Sequence, residues 1–78
     1  MLIIKLESRY KDVNSKLVQV ENNKYLLETN SEYVRLSRAE NRTIYSIDLE
    51  GGPMISIGDT IQGKKVKSIK SQYVIEFE

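Results

Sequence analysis

The sequence contains no cysteine, no histidine and no tryptophan, only one proline, and a single alanine, Ala39. Without cysteine there is no disulfide framework, and without cysteine or histidine there is no ordinary zinc site. Serine–histidine and cysteine–histidine catalysis are excluded by the same two absences. No apolar run approaches the ~20 residues a membrane-spanning helix needs, so no membrane partner is expected. The opening Met1-Leu2-Ile3-Ile4 is interrupted by Lys5 and Glu7, which does not read as a signal peptide, and a cytoplasmic location is expected. The glycosylation-like triplet Asn41-Arg42-Thr43 is then a chance match. An excess of one charge is also missing: 12 basic residues face 11 acidic ones, a net charge of +1. A protein that coats nucleic acid ordinarily carries a clear basic excess, so such a role would have to rest on a local patch.

What is present points to β-structure. The 78 residues include nine Ile, seven Leu, six Val and five Tyr. β-branched and aromatic side chains suit a pleated surface, whereas alanine, the best helix former, is nearly absent. A chain this short has room for one core, so residues 1–78 are expected to form a single domain. Its small core also favours a homo-oligomer, which would bury more apolar surface.

Period-two alternation runs along most of the chain. Leu2, Ile4 and Leu6 share one face of a first strand, and Val18 and Val20 share a face of a second spanning Lys16–Glu21. Asn22-Asn23 suits a hairpin turn, since asparagine tolerates positive φ, and Tyr25–Thr29 returns from it. Tyr33–Leu36 points Val34 and Leu36 inward, and Tyr45, Ile47 and Leu49 share a face of the next strand. Between them Ser37 and Glu40 have capping-box spacing, but no helical stripe comes after them, so a hairpin loop is preferred. Glu50-Gly51-Gly52-Pro53 is the sharpest break in the pattern. Met54–Ile57, Lys64–Ile69 and Tyr73–Phe77 resume strands, with turns at Gly58-Asp59 and Gly63, a tight loop at Lys70-Ser71-Gln72, and Ile61 directed inward. The expected fold is all-β: a small partly open barrel or compact two-sheet sandwich of SH3 or OB size, with about seven short antiparallel strands.

Four groups of residues are candidate sites. The loop Glu50, Gly51, Gly52, Pro53 and Met54 could approach a ligand closely through its backbone, or could simply be a corner that needs glycine. No lysine and helix start stand at the spacing of a phosphate loop. Lys64, Lys65, Lys67 and Lys70, with Tyr73 just beyond, are the ingredients of a single-strand nucleic-acid surface, though lysine also guards exposed sheet edges. On that strand Lys65 and Lys67 would share one face, Val66 and Ser68 the other. Asp48, Glu50 and Asp59 could supply oxygen ligands, but EF-hand spacing is absent and Asp59 fits a turn-capping role, so no metal is expected. Among the tyrosines, Tyr45 and Tyr73 fall on inward faces, whereas Tyr10 lies in a polar segment and is a candidate for partner contact. No cofactor and no catalysis are expected: so small a domain has little wall for a substrate cleft.

The run Ile47-Asp48-Leu49-Glu50-Gly51-Gly52-Pro53-Met54-Ile55-Ser56-Ile57-Gly58-Asp59 resembles a segment of small uncharacterised proteins of tailed bacteriophages, in which an Asp, a Gly-Gly-Pro and a later Gly recur. The resemblance covers about a sixth of the chain. It implies a small protein that binds host machinery or sequesters a host signalling molecule. Ile57-Gly58-Asp59 with Ile61, Gly63 and Val66 is similar to a turn-and-strand passage of SH3 and OB barrels, which bears on fold alone. The expected function is a non-enzymatic binding module with a protein partner, engaged through Tyr10 and the 50–54 loop. The alternatives are a nucleic-acid-binding barrel using Lys64, Lys65, Lys67, Lys70 and Tyr73, and an oligomeric nucleotide sponge.

Overall fold

The computed structural model describes residues 2–70 and 73–78. It is all-β. Among these residues nine strands form in chain order: β1 (Ile3–Leu6), β2 (Ser15–Glu21), β3 (Lys24–Thr29), β4 (Val34–Arg38), β5 (Ile44–Leu49), β6 (Met54–Ser56), β7 (Thr60–Ile61), β8 (Lys64–Lys70) and β9 (Val74–Phe77). The sequence predicts about seven; β6 falls on the strand expected at Met54–Ile57, and the element not foreseen is the two-residue β7, where Ile61 is expected only as an inward residue of a turn. All pairings are antiparallel and form one open sheet, ordered β1-β2-β3-β9-β8-β5-β4, with β6 added to β5 and β7 to β8. Among the described residues no helix is long and apolar enough to cross a membrane.

Alternation places the core on one face. Ile4, Leu17, Tyr25, Leu27, Ile75 and Phe77 come from the β1–β2–β3–β9 half. Ile44, Ile47, Leu49, Ile55, Val66 and Ile69 come from the other. Val34 and Leu36 pack against this core, as the alternation predicts, and so does Ile61, expected inward from its turn. Tyr25 and Phe77 meet edge to face, with ring centroids 5.2 Å apart and an interplanar angle of 86°. Such geometry puts a ring's positive edge on its neighbour's negative face.

Several sequence-based expectations are corrected by local backbone geometry. Leu2 does not join Ile4 and Leu6 in packing inward but is exposed just before β1. Tyr45 does not share the inward face of Ile47 and Leu49; it is 49% exposed. A β-bulge is the reason: Ser37 pairs with Ser46 but Arg38 with Ile44, so Tyr45 is the extra residue and turns outward. Ser68 does not share Val66's face, because a second bulge sets Val66 opposite Phe77 but Ser68 opposite Glu76. Alternation therefore restarts, and Ile69 rather than Ser68 enters the core. Tyr73 is exposed too; its φ of +62° takes it out of the extended conformation before β9 begins. The Asn22-Asn23 hairpin forms as expected, but neither asparagine adopts positive φ. A bulge between Gln19 and Glu21 modifies the register instead. Asn23 also ties the hairpin to β9. Its side-chain amide donates to the Phe77 carbonyl (3.0 Å), and its own carbonyl accepts from the Phe77 N–H (2.8 Å). No helical turn starts at Ser37: Ser37 and Arg38 end β4, and Ala39 and Glu40 lie in the hairpin connection, with the Arg42 N–H donating to the Ala39 carbonyl at 2.9 Å. The loop expected at Lys70-Ser71-Gln72 falls partly on Ser71 and Gln72, which lie outside the described residues.

Candidate functional site

The segment between β1 and β2 is polar, yet hydrogen bonds hold it against the β5–β6 corner. Asn30 accepts from the Asn14 N–H (2.7 Å) and donates to the Asp12 carbonyl (2.9 Å), which fixes the end of the loop. Ser8 Oγ donates to the Tyr10 carbonyl at 2.9 Å. At the near end, the Arg9 N–H donates to the Gly51 carbonyl at 2.6 Å, with the Tyr10 N–H at 3.4 Å. These bonds press the Tyr10 ring onto Gly51.

The two glycines of the corner act differently. Gly51 has a φ of +77°, where a side chain is strained. A Cβ there would also collide with Tyr10 Cδ2 and lie 3.0 Å from Cγ and 3.1 Å from Cε2. Gly52 packs into the core end, where a Cβ would lie 3.2 Å from Leu49 Cβ.

Tyr10 and Gly51 form one side of a cleft of about 320 Å³, completed by Arg9, Tyr33, Arg35, Asp48 and Glu50. Its floor is the outward face of β4 and β5. Arg35 stands directly across from Asp48. The Glu50 N–H donates to the Tyr33 carbonyl at 3.0 Å, and Ser31 Oγ donates to the Glu50 carbonyl at 2.8 Å. No side chain of either arginine lies within 4.0 Å of a carboxylate among the described residues. The cleft thus combines two guanidinium groups, two phenols and two carboxylates, and Tyr10 and Tyr33 are each more than half exposed. Arginine can grip a carboxylate through two parallel N–H bonds, and tyrosine offers apolar area with a polar tip.

Of the sequence-predicted residues, Tyr10, Asp48, Glu50 and Gly51 come together here. Gly52, Pro53 and Met54 line an adjoining hollow with Glu7, Ser8 and Arg9. Sequence reasoning misses Arg9, Tyr33 and Arg35. The signal for the last two is available: they alternate with inward Val34 and Leu36, so both have to face outward. Comparison with protein-family models, curated proteins and solved structures finds no match. The site is therefore read from its own chemistry.

The lysine cluster is arranged differently. Lys64, Lys65, Lys67 and Lys70 are exposed, but Lys65 faces Glu78 with Nζ and Oε2 4.0 Å apart. Glu76 lies among Lys67, Lys70 and Lys24 and accepts from Ser68 Oγ at 2.9 Å. That hydrogen bond, helped by the three ammonium groups and opposed by partial desolvation, holds the Glu76 carboxyl below its ordinary value. A lowered folded pKa gives a stabilisation that is present above the unfolded value and fades as pH falls through the folded one. In a carboxyl NMR titration, Glu76 is expected to have its midpoint below the ordinary glutamate value, and Ser68→Ala to raise it. An unchanged midpoint in Ser68→Ala would contradict the assignment.

The acidic set does not assemble as a whole: Asp48 and Glu50 share the cleft, and Asp59 stands apart. No group of three or more Asp or Glu side chains is placed to hold a metal ion among the described residues. Asp59 instead closes the β6–β7 turn, its Oδ2 accepting from the Ser56 N–H at 2.8 Å.

Proposed function

We propose that this chain is a non-enzymatic, cytoplasmic binding module for a protein partner, engaged through the cleft between Tyr10 and the outer face of β4 and β5. The observation that carries the reading is the packing of Tyr10 on Gly51, which holds an aromatic ring at the rim of a cleft containing two arginines. Tyrosine and arginine are among the residues that most often dominate binding energy at protein interfaces. Backbone bonds from Arg9 and Tyr10 to Gly51 reduce the ordering cost on association. The cleft is near the lower limit for small-molecule pockets, roughly 300 Å³, and its charges are balanced, which suits a peptide surface better than an anion.

The test is affinity capture from a nuclease-treated bacterial lysate, the source that the phage-like 47–59 segment implies. Wild type is expected to retain a discrete polypeptide that Tyr33→Ala and Arg35→Glu lose, while Lys64→Glu and Lys67→Glu leave it in place. Capture abolished by nuclease and by the lysine changes, but not by Tyr33→Ala, would overturn the proposal in favour of nucleic acid. Retention of a nucleotide by a defined oligomer, with no polypeptide, would overturn it in favour of a sponge.

A further inference from the structure

The open sheet leaves β1 at one end, and the side of β1 away from β2 faces a groove rather than another strand. The groove has a volume of about 560 Å³; its apolar lining comes from Leu6, Pro53, Met54, Ile55 and Ile61, and its charged lining from Lys5, Glu7 and the turn-capping Asp59. β6 forms the far wall. The Arg9 N–H to Gly51 carbonyl bond ties the chain beyond β1 to the corner before β6.

Pairing phase shows which backbone groups face the groove. The Gln19 N–H donates to the Leu2 carbonyl at 2.9 Å, and Ile4 stands opposite Leu17. In an antiparallel ladder alternate residues direct their N–H and C=O to the same neighbour. Leu2, Ile4 and Leu6 therefore bond to β2, and Ile3 and Lys5 direct theirs outward, where no strand pairs with them among the described residues. On the far wall, Leu49 donates to Pro53 (3.3 Å) and Ile57 to Tyr45 (3.0 Å), so Met54 directs its backbone groups toward the groove. The neighbouring groups of Ser56 are occupied by Asp59, which accepts from the Ser56 N–H and donates to its carbonyl.

The cross-strand charge at Lys5 selects the residue that should stand opposite it. One row of outward side chains crosses the sheet as Glu28, Lys16 and Lys5. Lys16 Nζ lies 3.8 Å from Glu28 Oε1. Lys5 stands directly opposite Lys16, a like charge, and has no carboxylate within 4.0 Å among the described residues. Like charges directly opposite on a sheet are unfavourable, and an opposite charge on the next strand relieves them.

We propose that the outer edge of β1 accepts an extended strand of a protein partner, with a carboxylate opposite Lys5 and apolar side chains on either side of it facing Leu6 and Ile55. The strand's backbone would bond to Ile3 and Lys5, and its acid would extend the row to a negative–positive–positive–negative order. This is strand addition, in which main-chain bonds supply affinity and alternate side chains supply specificity. It rests on the reading of the chain as a protein-binding module but not on the Tyr10 cleft. The two surfaces are read by different residues.

The experiment titrates the ¹⁵N-labelled chain with the blocked peptide Thr-Ile-Glu-Val-Thr and with its Glu-to-Lys analogue, followed by amide shifts. The expected result is that the Ile3 and Lys5 amides move and become protected from exchange, with about threefold tighter binding of the glutamate peptide. In Lys5→Glu the preference should reverse, which separates a charge pair from loss of folding. Equal affinities in both chains, or no response of Ile3 and Lys5 at millimolar peptide, would overturn the proposal. So would a concentration-dependent dimer that protects the same amides without peptide, since the edge would then receive a second copy. The peptide arms leave the cleft untouched, so lysate capture can fail while this succeeds, and the reverse.

Discussion

Tyr25→Ala is expected to remove a large share of the chain's stability, whereas Tyr25→Phe should be neutral or stabilising. The side chain is fully buried and stacks edge to face on Phe77. Removing a buried aromatic ring costs about 3–5 kcal/mol through lost burial and the cavity left behind. Domains have about 0.05–0.15 kcal/mol of stability per residue, roughly 4–12 kcal/mol here, so that loss is a large share of the whole. The hydroxyl acts in the opposite direction. It is buried and has no hydrogen-bond partner among the described residues. An unsatisfied buried hydroxyl costs about 1–3 kcal/mol, and phenylalanine keeps the ring without it. Urea unfolding of the two variants checks the pair: equal, large losses in both would show that the hydroxyl has a stabilising partner.

Gly51→Ala is expected to lower the melting temperature by several degrees and to abolish partner capture. The φ of +77° costs about 1–2 kcal/mol for an L side chain, and each kcal/mol moves the midpoint of so small a domain by about 4–8 °C. The new methyl group also falls on the Tyr10 ring and must displace it. Gly63→Ala separates the two effects. Gly63 has a φ of +80° with nothing within 4 Å of its Cβ position, so it incurs only the backbone cost and should leave capture intact. In a Tyr10→Ala background the extra cost at Gly51 should shrink toward that of Gly63. If both glycine changes behave alike in both backgrounds, the Tyr10 contact has no energetic weight.

Period-two patterning makes the strands legible, because Ile4, Leu36, Ile47, Ile75 and Phe77 obey it without interruption. It fails at Tyr45 and Ser68, where a bulge adds one residue to one strand and reverses the facing of the residues beyond it. Such an insertion is a relation between two strands, and the residues of one strand do not encode it. The candidate site is legible in its backbone half: Gly51, Gly52 and Pro53 mark an unusual corner by composition alone. Its other half comes from segments about 15 to 40 residues away, Arg9 and Tyr10 on a polar loop, Tyr33 just before β4 and Arg35 on it. Alternation makes the outward direction of Tyr33 and Arg35 available, but not their neighbours. Even Tyr10, singled out for its polar surroundings, could not be placed on Gly51 without the bonds from Arg9 and Asn30 that fold the loop back.

The direct measurement is the nuclear Overhauser contact between the Tyr10 ring protons and the Gly51 α-protons in the full chain. The account predicts a strong cross-peak, together with an Arg9 amide protected from exchange by the Gly51 carbonyl. A Tyr10 ring with no contact to Gly51 and an Arg9 amide that exchanges freely would mean that the loop does not close on the corner and that the cleft does not exist.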